Sequence, residues 1–141
     1  MLFRSVSLDS DEISVYNNNG TFLTKWGSTC HISTGFRCND LTLGSKSDQI
    51  GDGKFNIPTG LAFDSTGNVY VADTKNNRIQ VFNNNGTFLT KWGSDGIGDS
   101  QFHNPQWVAV NTRSGQIYVS DSNNDRIQSF TQHNILKVKP H

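Results

Sequence analysis

Residues 68–94 read NVYVADTKNNRIQVFNNNGTFLTKWGS. Three short runs in this stretch, NVYVA, RIQVF and TFLTKW, are rich in β-branched and aromatic residues, and turn residues bound each of them. Asn85-Gly86 is the strongest two-residue hairpin signal, so it is expected to join the second run to the third. TGLAF precedes them across Ser65-Thr66-Gly67 and supplies a fourth run. The expected strands are 59–63, 68–72, 78–82 and 87–92. On the last of these, simple alternation puts Phe88, Thr90 and Trp92 on one face and Leu89 and Lys91 on the other.

The pattern repeats. NNNGTFLTKWGS occurs letter for letter at residues 17–28 and 83–94. GDGKFNIPTGLAFDSTGNVYVADTKNNRIQVF, residues 51–82, aligns with GDSQFHNPQWVAVNTRSGQIYVSDSNNDRIQSF, residues 98–130. Phe55 meets Phe102 and Pro58 meets Pro105, 47 positions apart. After one extra residue near Arg113, Tyr70 meets Tyr118, Asp73 meets Asp121 and Arg78 meets Arg126, 48 apart. The N-terminal SLDSDEISVY reads like the same unit with about two residues lost from its turn. There Ile13 matches Ile79 and Tyr16 matches Phe82, 66 apart, so about 19 residues are inserted within 29–50. Four short antiparallel strands per repeat of about 47 residues is the signature of a propeller blade. A sandwich gives no reason for four-strand units to recur in sequence. No helical period of useful length appears.

The residues P-T-G-LAFD, then NVYVAD, then NNRIQVF resemble the NHL repeat, a propeller-blade family, over nearly all of the chain outside the insertion and the last few residues. The second unit departs from that pattern at Trp107, in place of the glycine, and at Asn111, in place of the aspartate. The resemblance implies an all-β fold: an NHL-type β-propeller segment of about three four-stranded antiparallel blades, either an open arc or part of a ring of about six blades. Its functional implication is broad, because propellers of this kind serve many functions.

Residues 1–28 read as a partial first blade without its innermost strand and 29–50 as an inserted loop. Residues 51–97 read as a complete blade and 98–141 as a last blade whose outer strand, NILKVK, is degenerate. Propellers close with four to eight blades, so three leave two faces bare. Each face projects to roughly 300 Å². At about 25 cal/mol per Å², covering one is worth roughly 7 kcal/mol. Three arrangements are therefore open: a fragment of a longer propeller, two copies closing a six-bladed ring as a homodimer, or a free arc.

The 12 basic and 12 acidic side chains cancel, so no overall field favours nucleic acid or an anionic membrane. No apolar run is long enough to cross a bilayer and the start carries no signal-peptide core, which reads as a soluble chain without a visible address. An extracytoplasmic place stays open for a longer precursor. Cys30 and Cys38 leave a local disulfide and two free thiols both open. With His31 they could contribute to a zinc site, but neither a C-x-x-C pair nor a fourth ligand is present in the sequence.

In a propeller, the loop between second and third strands and the loop leading to the next blade open on one face. Here these are 73–77, 121–125, 29–55 and 94–104, and long loops on a rigid scaffold are where binding resides. The candidate binding residues on that face are Arg37, Lys46, Asp73, Arg78, His103, Trp107, Asp121 and Arg126. For the repeated Asp73–Arg78 and Asp121–Arg126 pairs, the competing reading is structural: the aspartate caps its turn and the arginine pairs with a neighbouring carboxylate or carbonyl. Asn19-Gly20-Thr21 and Asn85-Gly86-Thr87 fit the glycosylation pattern, but the Asn-Gly turn accounts for them without glycans.

The sequence contains no catalytic constellation and no cofactor-binding motif. It reads as a non-catalytic NHL-repeat scaffold that binds protein, peptide or carbohydrate. The alternatives are part of a metal-dependent propeller lyase or hydrolase and, following relatives with a basic face, an RNA-binding surface.

Overall fold

The computed structural model describes residues 3–7, 10–32 and 51–136. They form three antiparallel sheets. The first contains β1 (Phe3–Ser7), β2 (Glu12–Tyr16) and β3 (Phe22–Trp26) in that order. The second is a four-stranded meander of β4 (Pro58–Phe63), β5 (Val69–Asp73), β6 (Arg78–Phe82) and β7 (Phe88–Trp92). The third contains β8 (Pro105–Val110), β9 (Gln116–Asp121) and β10 (Arg126–Thr131).

Register aligns the sheets with one another. Asp73 faces Arg78 and Asp121 faces Arg126 at the same rung at which Ser7 faces Glu12. β1 is therefore the counterpart of β5, and nothing is missing from the first turn. The expected two-residue deletion is absent, because Ser7 and not Asp9 stands at the Asp73 position. As expected, the first sheet has no counterpart of β4 among the described residues.

The third sheet ends differently. Of the expected degenerate outer strand, NILKVK, residues 137–139 lie outside the described residues, and Gln132–Leu136 forms one short helix, α1. Thr131 and Asn134 stand where Asn83 and Gly86 reverse the chain after β6, and among the described residues no hairpin follows β10. Gln132 instead donates its side-chain amide to Asp64 of the second sheet at 2.7 Å, and Ile135 is buried in the core.

The hairpin between β6 and β7 also departs from the expected two-residue turn. Asn85 keeps a negative φ, which excludes the turn in which both central residues are left-handed. The loop is five residues long, 83–87. Asn83 Oδ1 accepts the N–H groups of Asn85 (3.0 Å) and Thr87 (2.9 Å), and Gly86 supplies φ 85°. The first copy does the same with Asn17 and Gly20. The longer loop forces a bulge, so Phe88 faces Phe82 whereas Thr90 faces Val81 and Trp92 faces Ile79. Phe88 thus lies on the opposite side of the sheet from Thr90 and Trp92, against the simple alternation.

The core consists of two layers, each between neighbouring sheets. Ile13, Val6 and Trp26 of the first sheet pack against Phe55, Leu61, Val69, Val71 and Phe82. Tyr70, Ala72, Ile79 and Val81 pack against Val108, Ile117, Val119 and Phe130. The repeated tryptophan works in both layers: Trp26 meets Phe82 at 5.8 Å and Trp92 meets Phe130 at 5.4 Å between ring centroids. Such pairs add about 0.5–1.5 kcal/mol beyond their burial.

The inner strands β4 and β8 run closest. A Cβ on Gly60 would stand 2.6 Å from the Gln106 carbonyl oxygen and 3.0 Å from Trp107 Cα. Gly60 is thus required by contact with the neighbouring backbone and not by its own φ. Thr59 and Thr74 reinforce the seam, donating their hydroxyls to the carbonyls of Gln106 and Pro105 at 2.7 Å each. Trp107 occupies the Gly60 position of the third sheet, with 63% of its surface exposed. Gly60→Ala should therefore cost about 1–3 kcal/mol by urea unfolding. Trp107→Gly should cost under about 1 kcal/mol, and the reverse ranking would contradict the seam.

Candidate functional site

The loops expected to bind converge on one end of the sheets, and each is tied down by the same side-chain set. Asp73, at the end of β5, accepts the Asn56 N–H through Oδ1 at 2.8 Å. Its Oδ2 accepts Arg78 Nε (2.7 Å), Asn76 Nδ2 (3.0 Å) and Gln80 Nε2 (3.1 Å). Arg78 Nη2 then donates to the carbonyls of Gly51 (2.7 Å) and Lys54 (2.9 Å), and Gln80 donates to Lys54 at 2.7 Å. The third sheet repeats the clamp: Arg126 donates to Asp121 at 2.7 Å and to the carbonyls of Gly98 and Gln101, and Gln128 donates to Gln101.

Two further devices complete each joint. Phe55 lies under Gly27 and Phe102 under Gly93, where an added Cβ would stand 2.7 Å and 2.6 Å from the ring. Their main chains exchange hydrogen bonds with the preceding sheet's exit strand, as in Phe55 N–H to Ser28 O and Cys30 N–H to Phe55 O, both 2.7 Å. Asp11 and Asn77, both left-handed, accept the N–H groups of Ile57 (2.7 Å) and Asn104 (2.8 Å) of the following sheet. Asx side chains tolerate that backbone conformation better than most, which explains their use at the latch.

This geometry removes three expected contacts from the ligand face. Asp73 and Asp121 are fully buried and Arg78 is 3% exposed, so these side chains serve the chain's own backbone and cannot touch a ligand. Arg126 remains partly exposed. His103 lies half-exposed with Nδ1 2.9 Å from Asp95 Oδ1, while its N–H is held by Asp121. Trp107 stands exposed on β8. Arg37, Lys46 and Cys38 lie outside the described residues. Cys30 is buried and disulfide-bonded. Among the described residues, no group of three or more His, Cys, Asp and Glu side chains is placed to hold a metal ion.

The insertion is rooted without disturbing the joint. Cys30 takes the place of Gly96, its carbonyl accepting Asn76 Nδ2 at 2.7 Å as Gly96 accepts Asn124 Nδ2 at 2.9 Å. Gly51 takes the place of Gly98 beneath the arginine. The described flanks of the insertion thus meet the joint at two points that the plain loop also uses.

Sequence reasoning missed the apolar side chains at this end. Ile97 is 82% exposed, and Ile32 and Ile57 are also exposed. The available signal was Ile97 itself, an apolar residue within the turn-rich SDGIGDS.

The electrostatics of the two clamps differ. Burial pushes the Asp73 carboxyl up and prevails over Arg78 and the Asn56 N–H. At Asp121 burial pushes the same way, but the His103 N–H with Asn124, Arg126 and Gln128 prevails and holds the carboxyl below its ordinary value. A depressed carboxyl contributes stability that is complete above its unfolded value, about 3.9, and is lost as pH falls through the folded one. Asp73, shifted upward, gives no such loss. Asp121→Asn is therefore expected to lower stability at neutral pH and to flatten the fall in urea midpoint between about pH 5 and pH 2. An acid dependence unchanged by the substitution would contradict the assignment.

Three side-by-side antiparallel meanders with polar loops gathered at one end are propeller blades. The family model for the NHL repeat matches residues 55–82 and 102–130, each running from the buried phenylalanine to the repeated phenylalanine, Phe82 or Phe130, of the blade's third strand. Two stretches of the chain thus match the NHL repeat. It is 42% identical over 59 residues to Protein brain tumor of Drosophila melanogaster, a stretch covering 42% of this chain and 6% of that protein. It is 49% identical over 45 residues to human NHL repeat-containing protein 3, covering 31% of this chain and 13% of that protein. The chain therefore spans a small part of these relatives. In fold it is similar to a structural-genomics protein of unknown function from Bacteroides thetaiotaomicron, with TM-score 0.60 and 14% identity over 92% of this chain and 32% of the other.

Proposed function

We propose that this chain acts as a non-catalytic NHL-repeat scaffold that binds a protein or peptide partner through its loop end. The observation that carries the reading is the exposed Ile97, with Ile32 and Ile57, on loops whose roots are locked by buried clamps. Apolar side chains held in water on a rigid frame favour a partner that can cover them. The similarity to brain tumor and to Protein lin-41 of Caenorhabditis elegans, 43% identical over 51 residues and 4% of that protein, supports a repeat scaffold. E3 ubiquitin-protein ligase TRIM71 of Gallus gallus is 49% identical over 51 residues, 6% of its length. Carbohydrate and RNA are the competing ligands, and the balanced charge disfavours the latter.

The test is selection from a displayed peptide library against the folded chain, with a glycan array and single-stranded RNA run in parallel. The expected outcome is peptide binders whose affinity falls about tenfold or more in Ile97→Asp at unchanged thermal midpoint, as for an interface anchor. Binders indifferent to Ile97→Asp, or retention by the glycan array or RNA alone, would overturn the reading.

A further inference from the structure

The turn between the last two strands of a blade is explained by two residues, and this leaves two others unexplained. Asn83 supplies the oxygen that gathers the loop and Gly86 supplies the left-handed φ. Asn85 contributes its main-chain N–H and a negative φ, which any ordinary residue provides. Its side chain is exposed, and among the described residues its amide forms no hydrogen bond. Thr87 contributes its main chain only: its N–H donates to Asn83 Oδ1 and its carbonyl accepts the Asn83 N–H. The first copy is the same, with Asn17 and Gly20 making the turn while the Asn19 amide and the Thr21 hydroxyl stay exposed and unengaged.

The unexplained residues are the two halves of an Asn-x-Thr acceptor, twice over. A type of turn that needed asparagine before glycine would have accounted for both triplets, but the backbone of Asn85 excludes it. The hairpin tips lie at the opposite end of the blades from the clamped loops, because β6 runs from one end to the other. A Cβ at Gly20 would meet nothing within 4 Å, so the first tip is open to a bulky group; one at Gly86 would stand 2.9 Å from the Trp26 ring, and at the second tip it is Asn85 and Thr87 themselves that are exposed. The disulfide at Cys30 independently fits an oxidising compartment, the setting in which such acceptors are used.

We infer that Asn19 and Asn85 are N-glycosylation sites and that this chain passes through a secretory lumen. In the transfer, the side-chain amide nitrogen bonds to C1 of an oligosaccharide carried on a polyprenyl diphosphate. The bond from C1 to the diphosphate oxygen breaks, the polyprenyl diphosphate leaves, and the amide loses one proton. The threonine hydroxyl two residues on is the recognition element. Glycans at this end leave the apolar loop end uncovered.

The test is translation of the full chain behind a cleavable leader in the presence of microsomes, with analysis of the protease-protected fraction. Two glycan additions removable by peptide N-glycosidase are expected. Asn19→Gln and Asn85→Gln should each abolish one addition, as should Thr87→Ala, whereas Thr87→Ser retains it. The purified Asn85→Gln chain should keep its thermal midpoint, since the turn does not use that amide. A protected, folded chain with no glycan at either site would overturn the inference. So would conversion of the Asn-Gly pairs to the acid with no sugar attached, or unfolding by Asn85→Gln.

Discussion

The buried Asp73 carboxylate is the constraint on which the rest of the structure depends. Taking a carboxylate and a guanidinium out of water costs several kcal/mol per ion unless their lone pairs and protons are used. Here one oxygen takes a main-chain N–H, the other takes three side-chain donors, and Arg78 and Gln80 pass the remaining donors to the carbonyls of the incoming loop. The loop therefore cannot drift without leaving a buried charge unpaired, at a cost of about 3–5 kcal/mol. Phe55 and the Asp11 latch then fix the same segment from its apolar and main-chain sides. A loop end whose roots are this costly to move can accept length and sequence variation beyond the roots, and the insertion between Cys30 and Gly51 is the instance present here.

The outward faces carry a second consequence. On the third blade, Ser120 and Ser129 stand where the second blade has Ala72 and Val81, and Trp107 stands where it has Gly60. On the first blade, Ser5 and Ser14 replace Val71 and Gln80. Hydroxyls on a face lower the cost of leaving it in water. A blade docked on the third as the third docks on the second would bring its main chain against the Trp107 side chain. The exposed Tyr118 and Ile127 keep that face partly apolar.

Much of the fold was legible in the sequence because each strand is a short β-branched or aromatic run between turn residues, and the repeat supplied its own alignment. β6 falls where it was expected. The bulge was not legible, since it follows from one side chain, Asn83, capturing two amides and adding a residue to the loop. That single event moved Phe88 to the other side of its sheet. Nor was α1 legible: five residues carry no helical period, and tertiary burial of Ile135 decides their form. At the loop end, recurrence correctly favoured a structural role for the Asp–Arg pairs. The latch depends on left-handed backbone at Asp11 and Asn77, and the exposure of Ile97 depends on where the loop points. Neither is written in residue type alone.

Joints clamped in this way should open only together with the blades they connect, which makes the loop end a rigid platform. Native-state hydrogen exchange tests it most directly. The amides of Cys30, Phe55, Asn56 and Ile57 are predicted to open with the same free energy as those of Val71 and Val81 in the central strands. Exchange of the joint amides orders of magnitude faster, with the strands still protected, would contradict the account.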